Sequence, residues 1–133
     1  VLIEPLAKSL SNIVNSLPEA IEFIKKYEKH NLKTLLDYRW MLEDGWPLTD
    51  IEDYELYIKH VHLDNPLSPF PTRVVPRMND GFDYAPFLNT LKRIAYKEII
   101  SIEACVFQDF AKEIREGLEL FKANNIEPYH SIS

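Results

Sequence analysis

The chain has 133 residues, 46% of them hydrophobic and 27% charged, with a formal net charge of −6, which suits one domain (1–133) with a real core. The acidic balance argues against a nucleic-acid partner, because phosphate binding needs a basic surface. There is no apolar stretch of ~18–20 residues and no signal-peptide pattern, so neither a membrane span nor secretion is expected; the single cysteine, Cys105, excludes an internal disulfide and fits a reducing cytoplasm.

The chain opens at Val1 inside a strand pattern, with no initiator methionine, cap or lead-in. It therefore reads as a piece of a larger protein. Residues 1–4 are the end of a buried strand. After a Ser/Asn-containing loop, Leu17, Ala20, Ile21, Ile24 and Tyr27 recur at helical spacing and predict a helix over 17–30. Ser16 is its N-cap, with Pro18 and Glu19 in the first turn and Asn31 as the stop. Residues 32–37 form a second strand, 38–48 a loop holding Trp40, Gly45, Trp46 and Pro47, and 49–56 a short acidic helix. A third strand occupies 57–63. The proline-rich segment 64–83 is long enough to suggest a functional loop. Phe87, Leu88, Leu91 and Ile94 mark a helix over 84–95, followed by a strand at 98–104, a helix at 107–124 and an extended tail over 125–133. Strands alternating with helices imply a parallel sheet with right-handed crossovers, an α/β fold.

Four apolar runs each end in a side chain able to bind a metal: Glu4, Asp37, His62 and Glu103. Side chains alternate across a strand, so Glu4 shares a face with Leu2, Asp37 with Leu35, His62 with His60 and Glu103 with Ser101. The opposite faces carry Val1, Ile3, Leu36, Val61, Ile100 and Ile102, uniformly apolar and suited to helix packing. Parallel strands gather their carboxyl ends on one rim, where the four would converge. Three carboxylates and an imidazole suit Mn²⁺, Mg²⁺, Co²⁺ or Zn²⁺. Such an ion would take two adjacent oxygens of a hydroxy-ketone and stabilise an enediolate, while a carboxylate on each side moves a proton. That is machinery for isomerising or epimerising a sugar. The plainer alternative is that strands end in Asp or Glu because a following helix favours an acidic first turn. It accounts for any one of the four better than for all four in register. His60, two residues deeper, reads as a hydrogen-bonded interior histidine, and His30 and His130 as surface residues.

With these segments in hand (Leu2-Ile-Glu-Pro5, Leu35-Leu-Asp-Tyr38, His60-Val-His-Leu-Asp64, Gly81-Phe-Asp-Tyr84 and Ile100-Ser-Ile-Glu103) the chain resembles the C-terminal half of the xylose isomerase-like (β/α)₈ barrels. It is most similar to their sugar isomerase and epimerase branch, which includes the D-tagatose 3-epimerase family. The resemblance implies strands five to eight of a TIM barrel and a small sugar or sugar phosphate as substrate. It also implies a divalent metal, Mn²⁺ first, held by Glu4, Asp37, His62 and Glu103, with Glu4 and Glu103 as the catalytic proton carriers. The family tends to place a substrate-binding arginine after the histidine strand, and Arg73 and Arg77 are the candidates for it; the equal alternative for either is a solvated loop arginine. Its histidine three residues after the ligand aspartate is replaced by Trp40, which with Trp46 is either an apolar wall for the sugar or a cover for the rim. The additional histidines of the related DNA-repair enzymes are missing, against a trinuclear zinc site. Two other activities remain open: a non-catalytic carbohydrate-binding barrel, and a dehydratase or lyase on the same scaffold. Four strands cannot close a barrel of eight, so self-association or pairing with an N-terminal half is expected.

Overall fold

A computed structural model describes residues 1–27 and 30–126. Four strands, β1 (Leu2–Ile3), β2 (Lys33–Asp37), β3 (Ile58–Leu63) and β4 (Ile99–Ile102), form one sheet in the order β1-β2-β3-β4. Every neighbouring pair is parallel. The helices are α1 (Leu17–Tyr27), α2 (Tyr38–Glu43), α3 (Thr49–Asp53), α4 (Ala85–Arg93) and α5 (Phe110–Ala123). None of them is long and apolar enough to cross a membrane.

The expected alternation of faces holds in the two central strands and fades at the edges, where residues 1–4 are not a buried strand end: Val1 is 83% exposed, and Ile3, Ile100 and Ile102 are only partly buried. Leu36 and Val61 are wholly buried on the helix-covered side of the sheet. There they meet Leu17, Ile51, Phe87, Leu88 and Leu91, in a core that also holds Tyr38, Ile58 and Leu63. The other face is half-open: Leu2 is 38% exposed, and Leu35, His60 and Ser101 are partly exposed. His60 is hydrogen-bonded as expected, its Nε2 lying 2.8 Å from Ser101 Oγ, but it is half-buried on the open face and not interior.

Local chemistry sets the helix ends. Ser16 Oγ accepts from Glu19 N at 3.3 Å, and the Glu19 carboxylate reaches back to Asn15 N at 2.8 Å. The two contacts satisfy amides at the start of α1 that have no intrahelical partner. The last helix begins at Phe110, not at 107. Asp109 is its N-cap and accepts from Lys112 N at 3.0 Å, while Glu113 Oε1 accepts from Gln108 N and Asp109 N at 2.7 and 2.9 Å.

A further expectation is corrected. Part of the segment 38–48 is not loop: Tyr38–Glu43 is helical, capped by Asp37, whose Oδ1 accepts from Arg39 N at 2.9 Å. Tyr38, Arg39, Trp40 and Met41 are all buried. A short helix buried on consecutive positions shows no amphipathic period, so the pattern was invisible to a periodicity argument. The element order therefore gains a helix between β2 and β3. The long segment 64–83 is also ordered by its own contacts. Asn65 N donates to Val74 O at 3.0 Å, and Asp80 accepts from Arg77 N and Phe82 N at 2.8 and 3.0 Å. The expected tail lies almost entirely outside the described residues.

Gly117 sits where α5 packs closely against Val75 and Ile102. A Cβ there would sit 2.7 Å from Val75 Cγ1 and 3.0 Å from Ile102 Cδ1. Alanine is the better helix former by up to ~1 kcal/mol, but Val75 is fully buried and stiff and has no room to yield. Gly117→Ala is expected to lower stability by roughly 1–2 kcal/mol net, from overpacking of the kind that costs ~1–3 kcal/mol. A urea melt checks it; an increase in stability would show that α5 can move away from the sheet.

Candidate metal centre

The carboxyl ends of the strands do converge. Glu4 follows β1, Asp37 ends β2, His62 lies on β3 and Glu103 follows β4. Parallel pairing places Asp37 opposite His62 and His62 opposite Ser101, and Glu103 N donates to Leu63 O at 3.0 Å. One candidate ligand atom from each of Glu4, Asp37, His62 and Glu103 lies within 4.8 Å of the others. His62 Nδ1 is 2.8 Å from Glu103 Oε2 and 3.9 Å from Glu4 Oε1.

Two of these atoms make the donor set fit a cation. Among the described residues His62 Nδ1 is buried without a hydrogen-bond partner, and Glu103 Oε2, 2.8 Å from it, ion-pairs with Arg73 Nη1 at 2.9 Å but accepts no well-aligned hydrogen bond. Buried polar atoms left unpaired are costly and uncommon. A divalent cation would satisfy both, and oxygen donors with a single imidazole suit Mn²⁺, Mg²⁺, Co²⁺ or Zn²⁺.

The electrostatics are those of crowded carboxylates. Burial raises the pKa of Asp37 to about 6, against the pull of Arg73. Burial also raises that of Glu4, helped by the charge of Asp37 and opposed by His62, the Trp40 indole and Arg73. Arg73 stays firmly charged: burial disfavours the cation, but Asp37, Asp64 and Glu103 prevail. It lies 2.7 Å from Asp37 Oδ2, 3.0 Å from Asp64 Oδ2 and 2.9 Å from Glu103 Oε2.

The two candidate arginines part here. Arg73 reaches the cluster, whereas Arg77 is 41% exposed and pairs with Glu116 on α5 at 3.3 Å. Trp40 is 3% exposed. Its ring meets Phe70 edge-on at 5.3 Å and the Arg73 guanidinium at 5.4 Å, and its buried Nε1 is near the Glu4 carboxylate but falls short of a well-formed hydrogen bond. Trp46 packs partly buried against the core. His30 is exposed, and His130 lies outside the described residues. Sequence reasoning missed Arg39 and Asp64, which form a buried pair beneath Arg73. A signal for them existed. Arg39 is the one charge in Tyr38-Arg-Trp-Met-Leu42, and a charge buried in an apolar run needs a counter-ion.

The chain is similar to several solved sugar epimerases. A 3-keto-D-glucoside 4-epimerase from E. coli is 19% identical with a TM-score of 0.78, covering 92% of this chain and 45% of its own. D-allulose 3-epimerase from Methylomonas sp., in complex with D-allulose, is 18% identical at a TM-score of 0.77, covering 92% and 47%. The probable 3-DHS dehydratase of Bacillus anthracis, 16% identical, gives a TM-score of 0.70 with 92% and 48% covered. At these identities the likeness is one of fold. The chain spans less than half the length of these structures. No curated protein matches it. The family profile of the xylose isomerase-like TIM barrel matches residues 1–124, and with four parallel strands in sequence order the chain belongs to that family as part of its barrel.

Proposed function

We propose that the chain carries the metal centre of a sugar or sugar-phosphate isomerase or epimerase that works by proton transfer. The observation that carries this reading is the convergence of Glu4, Asp37, His62 and Glu103 within 4.8 Å, from four separate strands. These four residues would hold a divalent ion, Mn²⁺ first. When bound, such an ion would polarise a substrate carbonyl and stabilise the charge of an enediolate.

The protein's own groups do the rest. Glu4 and Glu103 follow the two outermost strands of the sheet, with carboxylate oxygens 3.9 and 2.8 Å from His62 Nδ1. One carboxylate removes the proton beside the carbonyl, and the other returns a proton to the opposite face, which inverts the carbon. The raised pKa of Glu4 suits a group that must carry a proton part of the time. Arg73, buried and with its nitrogens turned to Asp37, Asp64 and Glu103, supplies positive charge beneath the rim, where a substrate oxygen would lie. Closure of the pocket would come from further βα units or a second copy of the chain, set against the half-open face of the sheet. A cytoplasmic setting fits the single cysteine, Cys105, which is free and exposed.

The test is incubation of the full gene product with a panel of ketoses and ketose phosphates in deuterated water with Mn²⁺. Deuterium is expected at the carbon beside the carbonyl, and Glu103→Gln is expected to slow its entry about 10²–10⁴-fold, the usual span of general acid–base catalysis. Entry at the wild-type rate in Glu103→Gln would contradict the assignment. Trp40, standing where the family pattern has a histidine, favours a second reading as a non-catalytic carbohydrate-binding barrel. That reading predicts sugar binding with no exchange. A dehydratase would be recognised by a product lighter by one water.

A further inference from the structure

Asp64 is fully buried, and its Oδ2 accepts from three cationic donors. They are Arg39 Nε at 2.8 Å, Arg39 Nη2 at 2.5 Å and Arg73 Nε at 3.0 Å. Its Oδ1 has no partner. Arg39 is fixed in turn by Asn65 O at 2.7 Å, Ser68 O at 2.8 Å and Ser68 Oγ at 2.8 Å. The backbone of Arg73 is held separately, its carbonyl accepting from Cys105 N and Val106 N at 3.0 and 3.1 Å. With the backbone anchored and Nε tied to Asp64, the planar guanidinium has little freedom left. Its remaining nitrogens then fall on Asp37 Oδ2 and Glu103 Oε2.

We infer that Arg39 is a positioning residue: acting through Asp64, it aims Arg73 at Asp37 and Glu103 and makes Arg73 the built-in counter-cation of the metal cluster. The side chain of Arg39 touches none of the four candidate ligands. Its part is to supply two of the three donors on Asp64. Without them, Asp64 is a buried carboxylate with one donor and two under-used oxygens, a costly state. Arg73 is the nearest remedy. It would turn its fork onto both oxygens of Asp64 and leave the ligands. The three acidic ligands would then face an incoming divalent ion with less competing positive charge, so metal would bind more tightly.

The inference deepens the metal-site reading and rests on it for one of two readouts. The first is metal-independent: crystal structures of metal-free Arg39→Met and Arg39→Lys. Both are expected to show Arg73 beyond ~4 Å from Asp37, the limit of an ion pair, with a fork to Asp64 instead. Lysine keeps the charge and serves if the methionine variant does not fold. The second is calorimetric titration with Mn²⁺ at pH 8. Arg73→Met is expected to bind about tenfold more tightly than wild type and Arg39→Met about fivefold, the double variant resembling Arg73→Met because the effects share one route. The inference is overturned if Arg73 keeps both ion pairs in the Arg39 variants, or if the effect of Arg39→Met survives undiminished in the Arg73→Met background. A wild type that binds no Mn²⁺ would remove the metal-site reading, and the crystal structures would still decide the role of Arg39.

Discussion

Asp37→Asn is expected to weaken divalent-metal binding at least about 100-fold, by loss of an anionic ligand, while leaving the metal-free protein no less stable at pH 7. The second half is the diagnostic part. A buried aspartate that caps α2 and pairs with Arg73 would ordinarily be counted as stabilising. The sign here is the reverse. Burial lifts the pKa of Asp37 from 3.8 to about 6. A group whose folded pKa exceeds its unfolded value contributes stability at low pH and loses it as pH rises through the folded value. That contribution is lost as pH rises from ~4 to ~6, so at pH 7 the ionised side chain is a net burden on the metal-free fold, of the order of 1–2 kcal/mol after allowing for coupling to Arg73. Asparagine keeps a carbonyl oxygen for Arg39 N and removes the charge. The metal-free variant should thus exceed wild type in stability at pH 7, and the difference should vanish towards pH 4. Urea melts of both proteins at the two pH values check this. A variant destabilised at pH 7 would assign Asp37 to the architecture, with metal a secondary matter.

Phe87→Ala has the largest expected effect on the fold. Phe87 is fully buried and stacks on Tyr38 with ring centroids 3.9 Å apart and planes at 12°. Removing it opens a cavity where α4 meets the first residue of α2. Truncations of this type cost about 3–5 kcal/mol, a large part of the ~5–15 kcal/mol that holds a typical domain. The damage should reach the site, because Tyr38 adjoins the candidate ligand Asp37. A denaturant midpoint that moves by less than ~1 kcal/mol equivalent would show that neighbouring side chains collapse into the space.

How much of this was legible in the sequence depends on the kind of signal. Runs such as Leu35-Leu-Asp37 and Ile99-Ile-Ser-Ile-Glu103 carry strand character, length and facing parity together. The four strands and the convergence of their last side chains could be read from them. The caps at Ser16 and Asp37 had sequence signatures as well, but only Ser16 preceded an amphipathic period, so α1 was foreseen and α2 was not. Phe107 lies at helical spacing from Phe110 and Ile114, which is why the sequence predicts a helix from 107. Asp109 decides the boundary instead, because its side chain accepts from Lys112 N. Least legible was the ionic layer beneath the rim. Arg39, Asp64 and Arg73 are 25 and 9 residues apart in the chain, and no local period links them. Choosing Arg73 over Arg77 required the path of the 64–83 segment, which turns back so that Asn65 pairs with Val74.

The most direct test of the central claim is calorimetric titration of the purified chain with Mn²⁺ at pH 7.5, beside His62→Ala and Glu4→Gln. One ion per chain should bind to wild type, and each variant should lose at least about tenfold in affinity, the span typical for disturbing a metal's coordination. No binding up to millimolar Mn²⁺, or binding that both variants retain in full, would contradict the assignment of Glu4, Asp37, His62 and Glu103 as a metal centre.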